Sequence, residues 1–250
     1  MSARDSCLVS DVHPSPCWEP RRGVDRPDIL LLHYTGMTSC ERAIDWLSRP
    51  HSRVSCHYVI DTDGRITQMV PENRRAWHAG VAIWSGETDV NSRSIGFEIH
   101  NAGHDFGYPD FPDAQMAAVT ALAADVVARW GIAPERVLAH SDVAPARKSD
   151  PGEKFDWHRL WLSGVGRWVP PAPIDDADSG LGPGTRHDDI ARAQTLLCTY
   201  GYGIEETGAL DVATEQVLTA FQRHFRPARV DGRLDRSTLA TLERLVATVS

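Results

Sequence analysis

The chain has 250 residues, of which 42% are apolar and 24% charged; this is the composition of a soluble globular protein large enough to bury a core, in one large domain or two smaller ones. A net charge of −8 argues against nucleic acid as a partner, and no stretch reaches the roughly 18 apolar residues of a membrane span. Arg4 is not followed by the apolar run of about 7–15 residues that marks a secretory leader, and the five cysteines include no CxxC pair, so neither a disulfide framework nor a zinc knuckle is indicated and a cytoplasmic protein is expected.

After an N-terminal extension over 1–19, "DILLLHY" (28–34) is a short apolar run ending at His33, the pattern of a buried strand. "SCERAIDWLSR" (39–49) predicts a helix. "VSCHYVI" (54–60) and "RITQMV" (65–70) flank "DTDG", a hairpin turn signal. In "SIGFEIH" (94–100) Ile95, Phe97 and Ile99 face one way and Gly96, Glu98 and His100 the other. "DAQMAAVTALAADVVARW" (113–130) predicts a long helix with Asp113 as N-cap and Gly131 just past its end. "RVLAH" (136–140) is another short strand. Together these predict an α/β fold, a mixed central sheet flanked by helices, over 20–168.

The stretch 169–186 is rich in Pro, Gly and Asp, lacks periodicity and reads as a linker. Beyond it, "GALDVAT" (208–214) is echoed by "GRLDRST" (232–238), each with an Asp three positions before a Thr, the signature of a cap opening a helix. With "DDIARAQTLLCTYGY" in front, 187–250 predicts a small three-helix domain whose apolar positions follow helical spacing, among them Ile190, Leu197, Val217, Phe221 and Leu242. Nothing in it resembles a nucleophile with its base, so it reads as a binding module.

Of the eleven histidines, His33 and His140 both end apolar runs, where sheet proteins place functional groups. Asp150 follows in the loop "RKSDPG". Two imidazoles and a carboxylate form a three-ligand set that leaves the fourth zinc position for water. Glu98 faces away from the buried side of its strand, and Gly96 leaves space beside it; a carboxylate there can exchange a proton with a water and a leaving amine. Lys148 is placed to stabilise an oxyanion, and Arg147 to hold a substrate carboxylate by a bidentate pair. For each of these residues, a structural histidine, a surface glutamate or a solvated charge cluster is the competing reading.

"LLLHYTG", "SCHYVID", "WHAG", "SIGFEI" and "AHSDVAPARKSDPG", in that order, resemble the zinc-dependent N-acetylmuramoyl-L-alanine amidases, the amidase-2 family related to phage T7 lysozyme and peptidoglycan recognition proteins. The tail, with "AFQRHF" and "DGRLD", resembles the three-helix peptidoglycan-binding module. The resemblance implies zinc held by His33, His140 and Asp150, an acid/base at Glu98 and a catalytic lysine at Lys148. It implies a cleft position at His78, which is assigned with Trp77, Asn91 and Arg147 to substrate contact, and muropeptides or other peptidoglycan fragments as partners. It leaves two substrates open, a recycled 1,6-anhydro muropeptide in the cytoplasm or intact wall in the envelope. A non-catalytic peptidoglycan receptor on the same fold is the reading of another class.

Overall fold

The computed structural model describes residues 4–249. The expected extension over 1–19 contributes to both sheets, its first three residues lying outside the described part. Strand β1 (Asp11–Val12) and strand β2 (Trp18–Pro20) come from it. They are followed by β3 (Ile29–Tyr34), α1 (Cys40–Leu47), β4 (Tyr58–Ile60), β5 (Ile66–Gln68) and β6 (Arg74–Ala76). Next come α2 (Val90–Arg93), β7 (Ser94–Ile99), α3 (Asp113–Trp130), β8 (Val137–Ala139), α4 (His140–Val143) and α5 (Trp157–Leu162). The six-stranded sheet has the order β1-β5-β4-β7-β3-β8. Its β4–β5 pair is the antiparallel hairpin read from the sequence, while β4, β7, β3 and β8 run parallel. β2 pairs antiparallel with β6 in a separate two-stranded sheet.

Burial on both faces explains the unbroken run "ILLL", because a strand covered on two sides has no polar face. Leu30 and Leu32 pack with Ile95, Phe97 and Ile99 of β7 against Met116, Val119 and Leu122 of α3. Ile29 and Leu31 point the other way, toward Trp84, Val143 and the C-terminal helices. The predicted cap of α3 shifts by one residue: Pro112 holds the extended N-cap conformation, and Asp113 bonds Arg159 instead. Gly131 ends the helix at φ +66° with its N–H on Val127 O, as glycine's freedom to adopt the left-handed region allows.

The C-terminal part is α6 (Asp188–Tyr200), α7 (Val212–Phe225) and α8 (Arg236–Val246). Asp211 and Asp235 accept from the backbone N–H of Thr214 and Thr238, so each copy of the repeat caps one helix. Ile190, Leu197, Phe221 and Leu242 pack in the same apolar cluster as Ile29, Leu31 and Leu138 of the sheet. The core that the helices share is therefore continuous with this face of the sheet. The Pro/Gly-rich stretch before them lies along α8: Ala172 N donates to Thr241 Oγ1 at 2.9 Å, Ser237 Oγ donates to Ala172 O at 2.7 Å, and Leu181 exchanges backbone hydrogen bonds with Leu234.

Candidate active site

Three adjacent parallel strands end side by side. His33 of β3 stands opposite Glu98 of β7, and Leu32 opposite Ala139 of β8, so His33 and His140 leave the sheet at the same level. The carboxyl ends of parallel strands are where open sheets bind ligands. Asp150 arrives by the loop after α4 and is tied back to it, its carbonyl accepting from Ser141 N at 3.0 Å. The facing atoms are His33 Nδ1 and His140 Nδ1 at 2.8 Å, His140 Nδ1 and Asp150 Oδ2 at 3.0 Å, and His33 Nδ1 and Asp150 Oδ2 at 3.2 Å.

The surrounding hydrogen bonds decide where the ring protons sit. Ser94 Oγ donates to Val90 O at 2.7 Å, so it can only accept from His78 Nε2 at 3.3 Å. His78 Nδ1 is then an acceptor, and takes the proton of His33 Nε2 at 3.0 Å. His140 Nε2 donates to Ala79 O at 3.0 Å, since a carbonyl only accepts. In the neutral rings both Nδ1 atoms therefore carry the lone pairs, turned on each other and on a carboxylate. Burial pushes His33 down to about 4, so its ring is neutral near pH 7. Three proton-free acceptors in mutual contact repel unless a cation lies among them. Ligand bonds of zinc length in tetrahedral geometry place donor atoms about 3.3 Å apart, close to the spacing found, and His33, His140 and Asp150 are the group among the described residues that can hold a metal ion.

His78 also corrects an expectation. The space beside Gly96 is not open: the His78 ring fills it, and a Cβ at Gly96 would lie 2.6 Å from that ring. The glycine is needed so that His78 can lie across the strand and reach His33. His57 backs the same group, accepting from Gly96 N through Nδ1 and donating to Arg74 O through Nε2. Burial, then the charge of Arg21, pushes His57 down to about 3.

Glu98, Lys148, Trp77 and His78 join the three acceptors around a cavity of about 570 Å³. Glu98 Oε2 is enclosed and without a partner, as is Trp77 Nε1. Burial, followed by the charge of Asp150, holds the Glu98 carboxyl well above its usual range; Lys148 opposes this shift. Part of the cavity wall is apolar, formed by Met37, Ala43, Trp46, Leu47 and Val54. Sequence reasoning missed that wall. Its one signal is the helical spacing of Ala43, Trp46 and Leu47, which reads equally as core, yet Trp46 is 42% exposed.

Asn91 and Arg147 do not line this cavity. Asn91 is buried, and its Oδ1 accepts from His78 N at 3.0 Å and Ala79 N at 2.9 Å. Arg147 spends its guanidinium on the chain's own carbonyls, donating to Ala79 O and, at 2.7 Å, to Val81 O. Gly80 makes this clamp possible: at φ +61° a Cβ would meet Arg147 Nη2 at 2.8 Å. Both residues fix the segment that carries His78 and the carbonyl bonded to His140.

Residues 23–153 match the N-acetylmuramoyl-L-alanine amidase family profile. The chain belongs to this amidase family. Residues 186–242 of the amidase match the profile of peptidoglycan-binding domains. It is 36% identical to N-acetylmuramoyl-L-alanine amidase AmiD of Escherichia coli K12 over 233 residues, 88% of this chain and 83% of AmiD. It is 34% identical to the 1,6-anhydro-N-acetylmuramyl-L-alanine amidase AmpD of the same organism over 164 residues, 59% of this chain and 87% of AmpD. The solved complex of AmiD with anhydro-N-acetylmuramic acid-L-Ala-D-gamma-Glu-L-Lys superposes with a TM-score of 0.75 at 35% identity, covering 91% of this chain and 93% of AmiD. AmpDh3 of Pseudomonas aeruginosa, solved with an anhydromuramic pentapeptide, also gives 0.75 at 34% identity, covering 90% and 92%. No helix among the described residues of the amidase is long and apolar enough to cross a membrane.

Proposed function

We propose that this amidase hydrolyses the bond between the lactyl carbonyl of 1,6-anhydro-N-acetylmuramic acid and L-alanine, with zinc held by His33, His140 and Asp150. The observation that carries this reading is the convergence of three proton-free acceptors beside a partnerless carboxylate in one cavity. The neutral imidazoles and the ionised carboxylate suit zinc, and the substrates bound in the AmiD and AmpDh3 structures suit the anhydro sugar. Bound there, zinc supplies Lewis acidity toward a water and a carbonyl.

The chain's own residues do the rest. Glu98, enclosed and held at a raised pKa, takes a proton from the attacking water and returns it to the departing alanine amine. Lys148 faces the developing oxyanion. The free Trp77 N–H donates to the substrate's polar groups, and the apolar wall around Trp46 excludes water. His78 keeps the His33 ring in the tautomer that leaves Nδ1 bare.

The test is mass spectrometry of the products from a defined anhydro-muropeptide, run beside purified sacculi, with and without chelator. Free stem peptide and anhydro sugar should form only without chelator, and faster from the soluble fragment. Lys148→Ala should keep its zinc and lose about 100- to 1,000-fold in rate. Cleavage that persists in chelator removes the metal from this reading. Faster release from sacculi moves the substrate to intact wall.

A further inference from the structure

Asp142 is a buried carboxylate, 1% exposed, two residues after His140. Its Oδ2 accepts from Ala139 N at 2.8 Å, the backbone group immediately before His140, and so caps the single turn of α4. A buried carboxylate is costly unless its lone pairs are filled. The other donors come from the C-terminal part: Tyr202, just past α6, gives its O–H to Oδ1 at 2.7 Å, and His224 of α7 gives Nδ1–H to Oδ2 at 2.7 Å. The His224 ring is fixed between Trp157 and Phe225, with centroids 3.7 Å and 3.9 Å away. Its Nε2 is enclosed without a partner.

The second hold on His140 leads to the same part of the chain. Ala79 O, which accepts from His140 Nε2, starts a segment running to Trp84 and Ser85. Ser85 N donates to Gly201 O at 2.7 Å, and Trp84 packs on Tyr202 with centroids 5.0 Å apart. Gly201 has to be small here, because a Cβ would lie 2.7 Å from the Trp84 ring.

We infer that the C-terminal part of the chain belongs to the metal centre's support: Tyr202 and His224 are positioning residues that hold Asp142, and through it the turn on which His140 stands. A four-residue helix has no stability of its own, so its cap sets where the His140 ring points. A ligand displaced by about 0.5 Å already leaves productive geometry. On this inference the C-terminal part does more than tether the enzyme to its polymer. It rests on the reading of His140 as a metal ligand.

The test uses full-length His224→Phe, His224→Asn and Tyr202→Phe. Phenylalanine keeps the stacked ring and removes the donor, whereas asparagine returns an N–H near the position of Nδ1. Zinc affinity is measured by competition with a chromogenic chelator, the ring nitrogens of His140 by 15N chemical shift, and kcat and KM on a muropeptide. His224→Phe should bind zinc about 10- to 100-fold more weakly, shift the His140 signals and lower kcat at unchanged KM. His224→Asn should recover most of each loss, and Tyr202→Phe should move all three readouts in the direction of His224→Phe, by less. A His224→Phe or Tyr202→Phe protein that melts lower yet keeps zinc affinity, His140 shifts and kcat overturns the inference and leaves only packing. An unaltered chain that takes up no zinc overturns the ligand reading, and this inference with it.

Discussion

Glu98→Gln is expected to lower kcat by about 100- to 10,000-fold while metal content and muropeptide affinity stay as in the unaltered chain. Glutamine keeps the shape and the hydrogen-bonding reach of the side chain but cannot carry a proton between water and amine. Glu98 is also not among the three converging ligand atoms, so its loss leaves the metal in place. Turnover at the unaltered rate would remove Glu98 from the mechanism. The same substitution has an effect on stability, of opposite sign. Burial and the charge of Asp150 raise the carboxyl well above its ordinary 4.5. Between 4.5 and the raised value the folded state binds this proton more tightly than the unfolded chain. The stability tied to it is therefore fully present below pH 4.5 and is lost as pH rises through the raised value. Metal-free Glu98→Gln should accordingly melt higher than the metal-free parent at neutral pH, and the two should converge toward pH 4.5. A gap that is the same at both pH values would mean that Glu98 is not strained by ionisation. Catalysis here places a charge where the fold alone would not keep one.

The features legible in the sequence are those with a local physical signature. The run "ILLLH" shows a strand covered on both faces and ended by a polar group. The alternation in "SIGFEI" shows which way Glu98 points. Asp211 and Asp235 each stand three residues before a threonine, and the cap geometry needs no partner from elsewhere. What escaped reading depends on direction rather than type. Arg147 has five donors whatever it faces, and nothing in "RKSDPG" says that Ala79 and Val81 take them. Asn91 can accept from substrate or from backbone, and only the turn of residues 77–79 decides. Gly96 read as open space because the ring that fills it lies 18 residues away in the chain. Asp142 sits in "HSD" like a surface acid, and its partners lie 60 and 82 residues downstream. Periodicity carries no trace of a contact at that distance. The docking of 169–186 escaped reading in the same way, since the composition is that of a linker while its contacts depend on Thr241 and Ser237 of a helix not yet reached.

His33→Ala should abolish metal uptake, and elemental analysis of the purified protein is the direct readout. The loss should exceed the roughly 10- to 100-fold that removal of a supporting partner costs, because a ligand atom itself is removed and two acceptors no longer define an enclosed site. Stability provides an independent check. A ligand bound only by the folded state adds RT ln(1 + [L]/Kd), about 2.7 kcal/mol at 100 times the dissociation constant. Zinc should raise the melting temperature of the unaltered chain, and chelator should return it to the metal-free value, whereas His33→Ala should melt alike in both. The substitution also strands His78, whose Nδ1 loses its donor, so the metal-free variant should melt somewhat below the metal-free parent. Loss of activity alone does not separate this variant from Glu98→Gln, but metal content does: one protein holds zinc and turns over slowly, the other cannot hold it. If His33→Ala retains zinc with parental affinity, the lone pairs at 2.8–3.2 Å are not a coordination site, and the roles of Glu98 and Lys148 built around it lose their centre.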